Sequence, residues 1–194
     1  MLRRKYAFIS ILFAALLFVA EIAHGAHFKT HDIVRSPKYA ALLINADTGE
    51  VLYSRNASKV RHPASLTKMM TLYITFDALK NNKLQMNSKL TVSPRAARQP
   101  PSKLGLKAGE KITVREAIEA LIVKSANDAA VVLAEGVGGT EAHFVAMMNK
   151  KAHKLGLHNT RFRNPHGLHH PQQVTTAKDM AALAKALKKY HTAY

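Results

Sequence analysis

Apolar positions along the chain fall in short alternating runs at first and in long helical stretches later. "YAALLIN" (39–45) and "VLYSR" (51–55) flank "ADTGE", a pattern that predicts a β-hairpin with Asp47, Thr48 and Gly49 in its turn. From Pro63 to about Lys80 the chain is apolar on nearly every side, and proline is tolerated only in a first turn, so a helix is expected to start there. Residues 84–112 carry Pro94, Pro100, Pro101, Gly105 and Gly109 and read as irregular. Helices are expected at about 114–123, opened by a capping box from Thr113 to Glu116, and at about 127–137. Another is expected at about 141–155, stopped by Gly156. The last runs from near Thr176, with Asp179 in its first turn, to about Tyr190.

This order supplies one hairpin and no other strand, and an isolated two-stranded hairpin is marginal in water. Either helices cover both of its faces or its partner strands follow Tyr194. The last helix runs almost to the final residue, so the second expectation is favoured and the chain reads as cut short.

The first residues have a different pattern. Arg3, Arg4 and Lys5 precede an apolar run from about 6 to 20, and Ala23 and Gly25 offer a small-residue cleavage site. The run is shorter than the roughly 20 residues needed to span a bilayer. A secretory signal peptide over 1–25 is expected, then a polar leader over 26–37 and one domain over 38–194.

Composition sharpens this picture. The 194 residues suit a single domain, and 47% hydrophobic content argues against general disorder. Cysteine is absent, so an exported chain has no disulfide and no thiol nucleophile, and covalent chemistry must use oxygen or nitrogen. The formal charge is +17; removing 1–25 leaves 26 cationic and 11 anionic residues, or +15. The charges are scattered singly, without aromatic interleaving, and export argues against nucleic acid as the partner, so a basic soluble face is the expected reading.

Two short clusters can carry chemistry. Ser65 and Lys68 are three residues apart, so on a helix their Cβ atoms stand about 5–6 Å apart and the amine reaches the hydroxyl. The dipole at a helix N-terminus and burial among Leu66, Met69, Met70 and Leu72 both disfavour an ammonium there. A neutral lysine can accept a serine proton, the serine–lysine form of an activated nucleophile. Ser-x-x-Lys occurs once, about as often as chance allows, so the spacing alone decides nothing. In "VKSANDAAVVLAEGVGG", Ser125 suits an N-cap, while Ser125 and Asn127 sit at a turn that can present a hydroxyl and an amide to a cleft. His166, His169 and His170 in "NPHGLHHPQQ" read as a histidine-rich loop bounded by prolines; with no nearby carboxylate and no helical register, a metal site is not expected.

Together, Ser65-Leu66-Thr67-Lys68 and Ser125-Ala126-Asn127 match two of the three motifs shared by penicillin-binding proteins and class A β-lactamases. With "HPASLTKMMTLY", "PPSKLGLKAGEKITV", "KSANDAAVVLAE", "FRNPHGL" and "VTTAKDMAALA" in order over about 38–190, the chain resembles the low-molecular-mass D-alanyl-D-alanine carboxypeptidases. The resemblance implies an α/β (α+β) fold of the β-lactamase/DD-peptidase type, here a β-hairpin of an incomplete antiparallel sheet plus a mainly helical subdomain. It implies a periplasmic enzyme without a cofactor, acting on the D-alanyl-D-alanine end of peptidoglycan pentapeptides and acylated by β-lactams. Ser65 would be the nucleophile, Lys68 the proton acceptor, Ser125 a proton relay to the leaving amine, and Asn127 a substrate-binding residue that helps position Lys68. Asn164 and Gly167 fit the family string and would shape a loop near the cleft.

The third motif, Lys-Thr-Gly, does not occur, and "HTA" (191–193) ends a helix. A chain complete at 194 residues is therefore expected to have little carboxypeptidase activity, or to be a non-catalytic peptidoglycan binder, and the front of a longer chain to be a normal enzyme. Peripheral membrane association through a later segment, as in many relatives, stays open. A class A β-lactamase is the less favoured alternative, because no Asp or Glu lies between Glu141 and Asp179 to serve as its deacylating base.

Overall fold

A computed structural model describes residues 30–188 and 190, so the expected signal segment at 1–25 lies outside the described residues. The chain divides into two compact units between Tyr39 and Ala40. Of the first unit, the described part is a short helix α1 (Thr30–Arg35) closed by hydrogen bonds from Ser36 N to Ile33 O and from Tyr39 N to Ser36 O.

The second unit opens with the expected hairpin. Strands β1 (Ala41–Ile44) and β2 (Val51–Arg55) pair antiparallel with Leu43 opposite Tyr53, and the register shifts between Leu43 and Ile44. Asn45 Oδ1 accepts the amides of Asp47 and Thr48, and Gly49 takes a φ of 80° that an L side chain resists. Leu43, Val51 and Leu52 are each more than half exposed.

A 3₁₀ turn (Ala64–Thr67) then leads into α2 (Lys68–Lys80). Ten of the thirteen α2 residues are buried, because α5, α6 and α7 all pack around it. A helix apolar on every side is the sequence form of a helix enclosed on every side. Its threonines satisfy their hydroxyls internally: Thr75 donates to Thr71 O at 2.8 Å, and Thr71 to Pro165 O at 2.7 Å.

The segment expected to be irregular is not. It contains β3 (Lys89–Thr91), α3 (Pro94–Ala97) and β4 (Lys111–Thr113), and β3 and β4 form a second antiparallel pair. Each strand has three residues and buries only its middle one, Leu90 or Ile112, so neither shows the repeat by which alternation is recognised. Ser93 caps α3 by accepting from Ala96 N, and Pro94 occupies its first turn.

Four further helices follow among the described residues: α4 (Val114–Val123), α5 (Asn127–Gly138), α6 (Glu141–Lys154) and α7 (Ala177–Lys188). The capping box at α4 is formed in both directions, Glu116 N to Thr113 Oγ1 and Thr113 N to Glu116 Oε2. The buried side chains of α2, α4, α5, α6 and α7 share one core, into which Phe144, Phe162 and Met148 insert with no exposure. Isolated bridges Arg61–Thr175 and Arg161–Val174 draw the segment between α6 and α7 against the approach to α2. That contact positions the site. Among the described residues no helix is long and apolar enough to cross a membrane.

Candidate active site

The expected helix does not start as an α-helix at Pro63. Ala64 has a φ of 48°, in the left-handed region, and a single 3₁₀ turn follows. That turn holds Ser65 exposed at the front of α2, while Lys68, one turn on, is only 4% exposed.

The Lys68 ammonium has three donors and finds three acceptors: Ser65 Oγ at 3.4 Å, Asn127 Oδ1 at 2.9 Å and the carbonyl of His166 at 2.5 Å. Every one of these partners is neutral. Burial therefore acts on the amine without a compensating carboxylate and lowers its pKa from 10.5 to about 8. At neutral pH roughly a tenth of it is uncharged. An uncharged amine at this position can take the Ser65 proton, and the 3.4 Å separation has room to shorten when a substrate closes on the site.

Asn127 is fixed from both ends. Its Nδ2 donates to Pro100 O at 2.9 Å and its backbone N to Ser102 O at 2.7 Å. Those bonds correct one expectation, because Ser125 is not the N-cap of α5. The cap position belongs to Ala126, without a side-chain cap, and the Ser102 carbonyl satisfies the first helical amide instead. Ser125 sits half-buried with a φ of 54°, and its hydroxyl makes no hydrogen bond among the described residues. Asp128, fully buried, holds the loop that supplies those carbonyls by accepting from the amides of Leu104, Gly105 and Leu106.

The loop of residues 163–173 closes the other side. Asn164 Oδ1 accepts from Gly167 N at 2.7 Å, and Gln173 Oε1 accepts the amides of Arg163 and Asn164. His62 Nδ1 meets Gln173 O at 2.8 Å, and the His62 and His169 rings touch edge to face. Burial lowers the pKa of His166 to about 4, so its imidazole is neutral, and its Nδ1 accepts from Leu168 N. A Cβ on Gly167 would fall 2.0 Å from Ala64 O and 3.0 Å from Ser65 N, and Gly167 has a φ of 92°. Only glycine lets this loop lie against the turn that carries Ser65. A cavity of about 260 Å3 lies between residues 62–64 and 167–170, beside that turn.

Of the four sequence-predicted residues, the structure brings Ser65, Lys68 and Asn127 together through the Lys68 amine, whereas Ser125 makes no hydrogen bond to any of them among the described residues. The loop near Asn164 and Gly167 was expected beside the cleft and is there. The His166 carbonyl, the Thr71 hydroxyl and the Gln173 side chain were not anticipated. The first is a backbone group with no residue signature, Thr71 acts through a carbonyl 94 residues on, and the Gln173 side chain acts on backbone amides of its own loop.

The model of the D-alanyl-D-alanine carboxypeptidase family, peptidase S11, matches residues 29–194. D-alanyl-D-alanine carboxypeptidase DacF of Bacillus subtilis is 42% identical over 164 residues, covering 84% of this chain and 42% of that relative. The crystal structure of D-alanyl-D-alanine carboxypeptidase DacD from Francisella tularensis is similar with a TM-score of 0.75 at 39% identity, covering 80% of this chain and 37% of that one. Penicillin-binding protein D2 from Listeria monocytogenes, solved in its cefotaxime-bound form, is similar with a TM-score of 0.69 at 35% identity, covering 79% and 62%. The chain spans less than half the length of the Bacillus subtilis relative and of D-alanyl-D-alanine carboxypeptidase DacC of Escherichia coli, 42% of each.

Proposed function

Because this chain belongs to the D-alanyl-D-alanine carboxypeptidase family, we propose that its Ser65 is the acyl-accepting nucleophile of a serine carboxypeptidase that trims the terminal D-alanine from peptidoglycan stem peptides. The observation that carries this reading is Lys68, buried, without a counter-ion among the described residues and hydrogen-bonded to Ser65 Oγ.

In this reading neutral Lys68 removes the Ser65 proton as Oγ attacks the carbonyl carbon between the two D-alanines. The carbonyl π bond opens to an oxyanion, which the Ser65 backbone N–H stabilises from the front of α2. One such donor is worth on the order of 3–4 kcal/mol. The C–N bond then breaks, and the leaving amine takes a proton relayed from Lys68 through Ser125, giving free D-alanine and an ester on Ser65. Water, deprotonated along the same relay, cleaves the ester and restores the hydroxyl. Asn127 holds the substrate amide through Nδ2 and keeps Lys68 aimed through Oδ1. The alternation of Lys68 between neutral and charged forms is supported by its pKa of about 8.

A β-lactam carries a strained amide that opens on the same serine, and the cefotaxime complex of the Listeria relative supports acylation by such compounds here. The basic and apolar N-terminal pattern supports export, with the periplasm as the working compartment and the cell wall as the site of action.

Release of D-alanine from a synthetic peptide ending in D-alanyl-D-alanine tests the reading. Release by the intact protein that is lost in Ser65→Ala supports it, and release that survives Ser65→Ala overturns it.

A further inference from the structure

About 14 Å along α2 from Lys68, at the helix's other end, lies a second pocket of about 230 Å3. Its floor is apolar, formed by Ile74, Val137 and Met147, and its rim carries Lys83, Lys150, Lys151 and Lys154. Lys150 and Lys154 are one turn apart on α6, and Lys83 follows the end of α2. Among the described residues that line it, the one carboxylate is that of Asp77, which is already committed to Lys151 and to the Tyr190 hydroxyl. Lys151 is held further over the Tyr73 ring, 5.1 Å from its centre. The side-chain amines of Lys83, Lys150 and Lys154 make no ion pair or hydrogen bond among the described residues.

The local charge decides what the pocket accepts. Four lysines and one aspartate give +3. The carbonyl ends of α2 and α6, each worth about half a negative charge, reduce this to about +2. Like charges gathered around one concavity repel, and over an apolar floor the repulsion is screened less than on an open surface. We propose that this pocket binds a phosphate ester, its dianionic phosphate among Lys83, Lys150 and Lys154 and its carbon skeleton against Ile74, Val137 and Met147. Phosphate matches both the charge and the number of donors. The same chemistry is offered by a soluble phosphate and by a phospholipid headgroup. The proposal does not depend on the reaction at Ser65.

The ¹⁵N-labelled chain is titrated at constant ionic strength with inorganic phosphate and, separately, with dihexanoylphosphatidic acid below its micelle concentration. Saturable amide shifts confined to residues 77–83 and 147–154 are expected. The triple variant K83Q/K150Q/K154Q is expected to lose about tenfold or more in affinity, while K103Q/K107Q/K111Q, equal in charge change, keeps it. The amide spectrum of each variant reports whether it folds, and the single variant K150Q replaces a triple that does not. Tighter binding of the lipid than of phosphate identifies a lipid headgroup as the occupant, and equal binding a soluble phosphate. No saturable shift with either probe, or equal losses in both triple variants, overturns the proposal.

Discussion

The carbonyl oxygen of His166 accepts a hydrogen bond from Nζ of Lys68 at 2.5 Å, across 98 residues of chain. A backbone oxygen cannot titrate, so it orients the lysine without holding it in the charged form as a carboxylate would. The loop that carries His166 thus sets where the amine points, and burial sets its protonation.

The loop reaches Lys68 only because residue 167 is glycine. In Gly167→Ala the new Cβ would meet Ala64 O at 2.0 Å, and the Ala64–Ser65 peptide must move. Displacement of a nucleophile by about 1 Å costs roughly a hundredfold in rate. Acylation kinetics of Gly167→Ala, with circular dichroism to establish that it folds, are expected to show a loss of that order.

In the proposed mechanism Lys68 acts in its neutral form, which grows as pH rises toward about 8. The second-order rate of Ser65 acylation is expected to rise about tenfold per pH unit below that value and to level off above it. Stopped-flow acylation between pH 6 and about 9.5 checks this. Lys68→Met removes the proposed base and is expected to lose about a thousandfold without a remaining inflection.

Asn127→Asp places a carboxylate beside Lys68 in place of a neutral oxygen 2.9 Å from Nζ. An opposite charge at that distance favours the ammonium, so the Lys68 pKa rises by about one unit or more. The inflection of the acylation profile is therefore expected to move to higher pH, with a lower rate at neutral pH. An unchanged inflection in this variant would contradict a direct contact between the two side chains.

Burial holds His166 neutral down to about pH 4, whereas in the unfolded chain it takes a proton near 6.5. Between those values the unfolded state binds more protons, so folding stability falls as pH drops through the window, by about 3 kcal/mol in full. Above about 6.5 the contribution is complete and flat. Urea unfolding of wild type and His166→Leu at pH 7 and pH 4.5 is expected to show a steeper acid loss in the wild type.

Legibility in the sequence followed the kind of group involved. Ser65, Lys68 and Asn127 are polar side chains at motif spacing that meet in the fold, and the capping box of Thr113 and Glu116 was legible in its four-residue pattern. The strands β3 and β4 were hidden because Leu90 and Ile112 are their only buried positions. Ser125 has good N-cap propensity, but the Ser102 carbonyl reached the helix amide first, a contact made by a loop more than 20 residues earlier. The enclosure of α2 on all sides was legible as an apolar pattern, whereas the identity of the Lys68 partners was not. One of them is a peptide carbonyl, available in principle from any residue.

The central claim is that Ser65 is a nucleophile activated by Lys68. Incubating the intact protein with a labelled β-lactam, digesting it and locating the adduct by peptide mass spectrometry tests this most directly. The account predicts one covalent adduct, on the peptide containing Ser65, absent from Ser65→Ala and strongly slowed in Lys68→Met. An intact protein that forms no adduct, or one acylated at a residue other than Ser65, would contradict it.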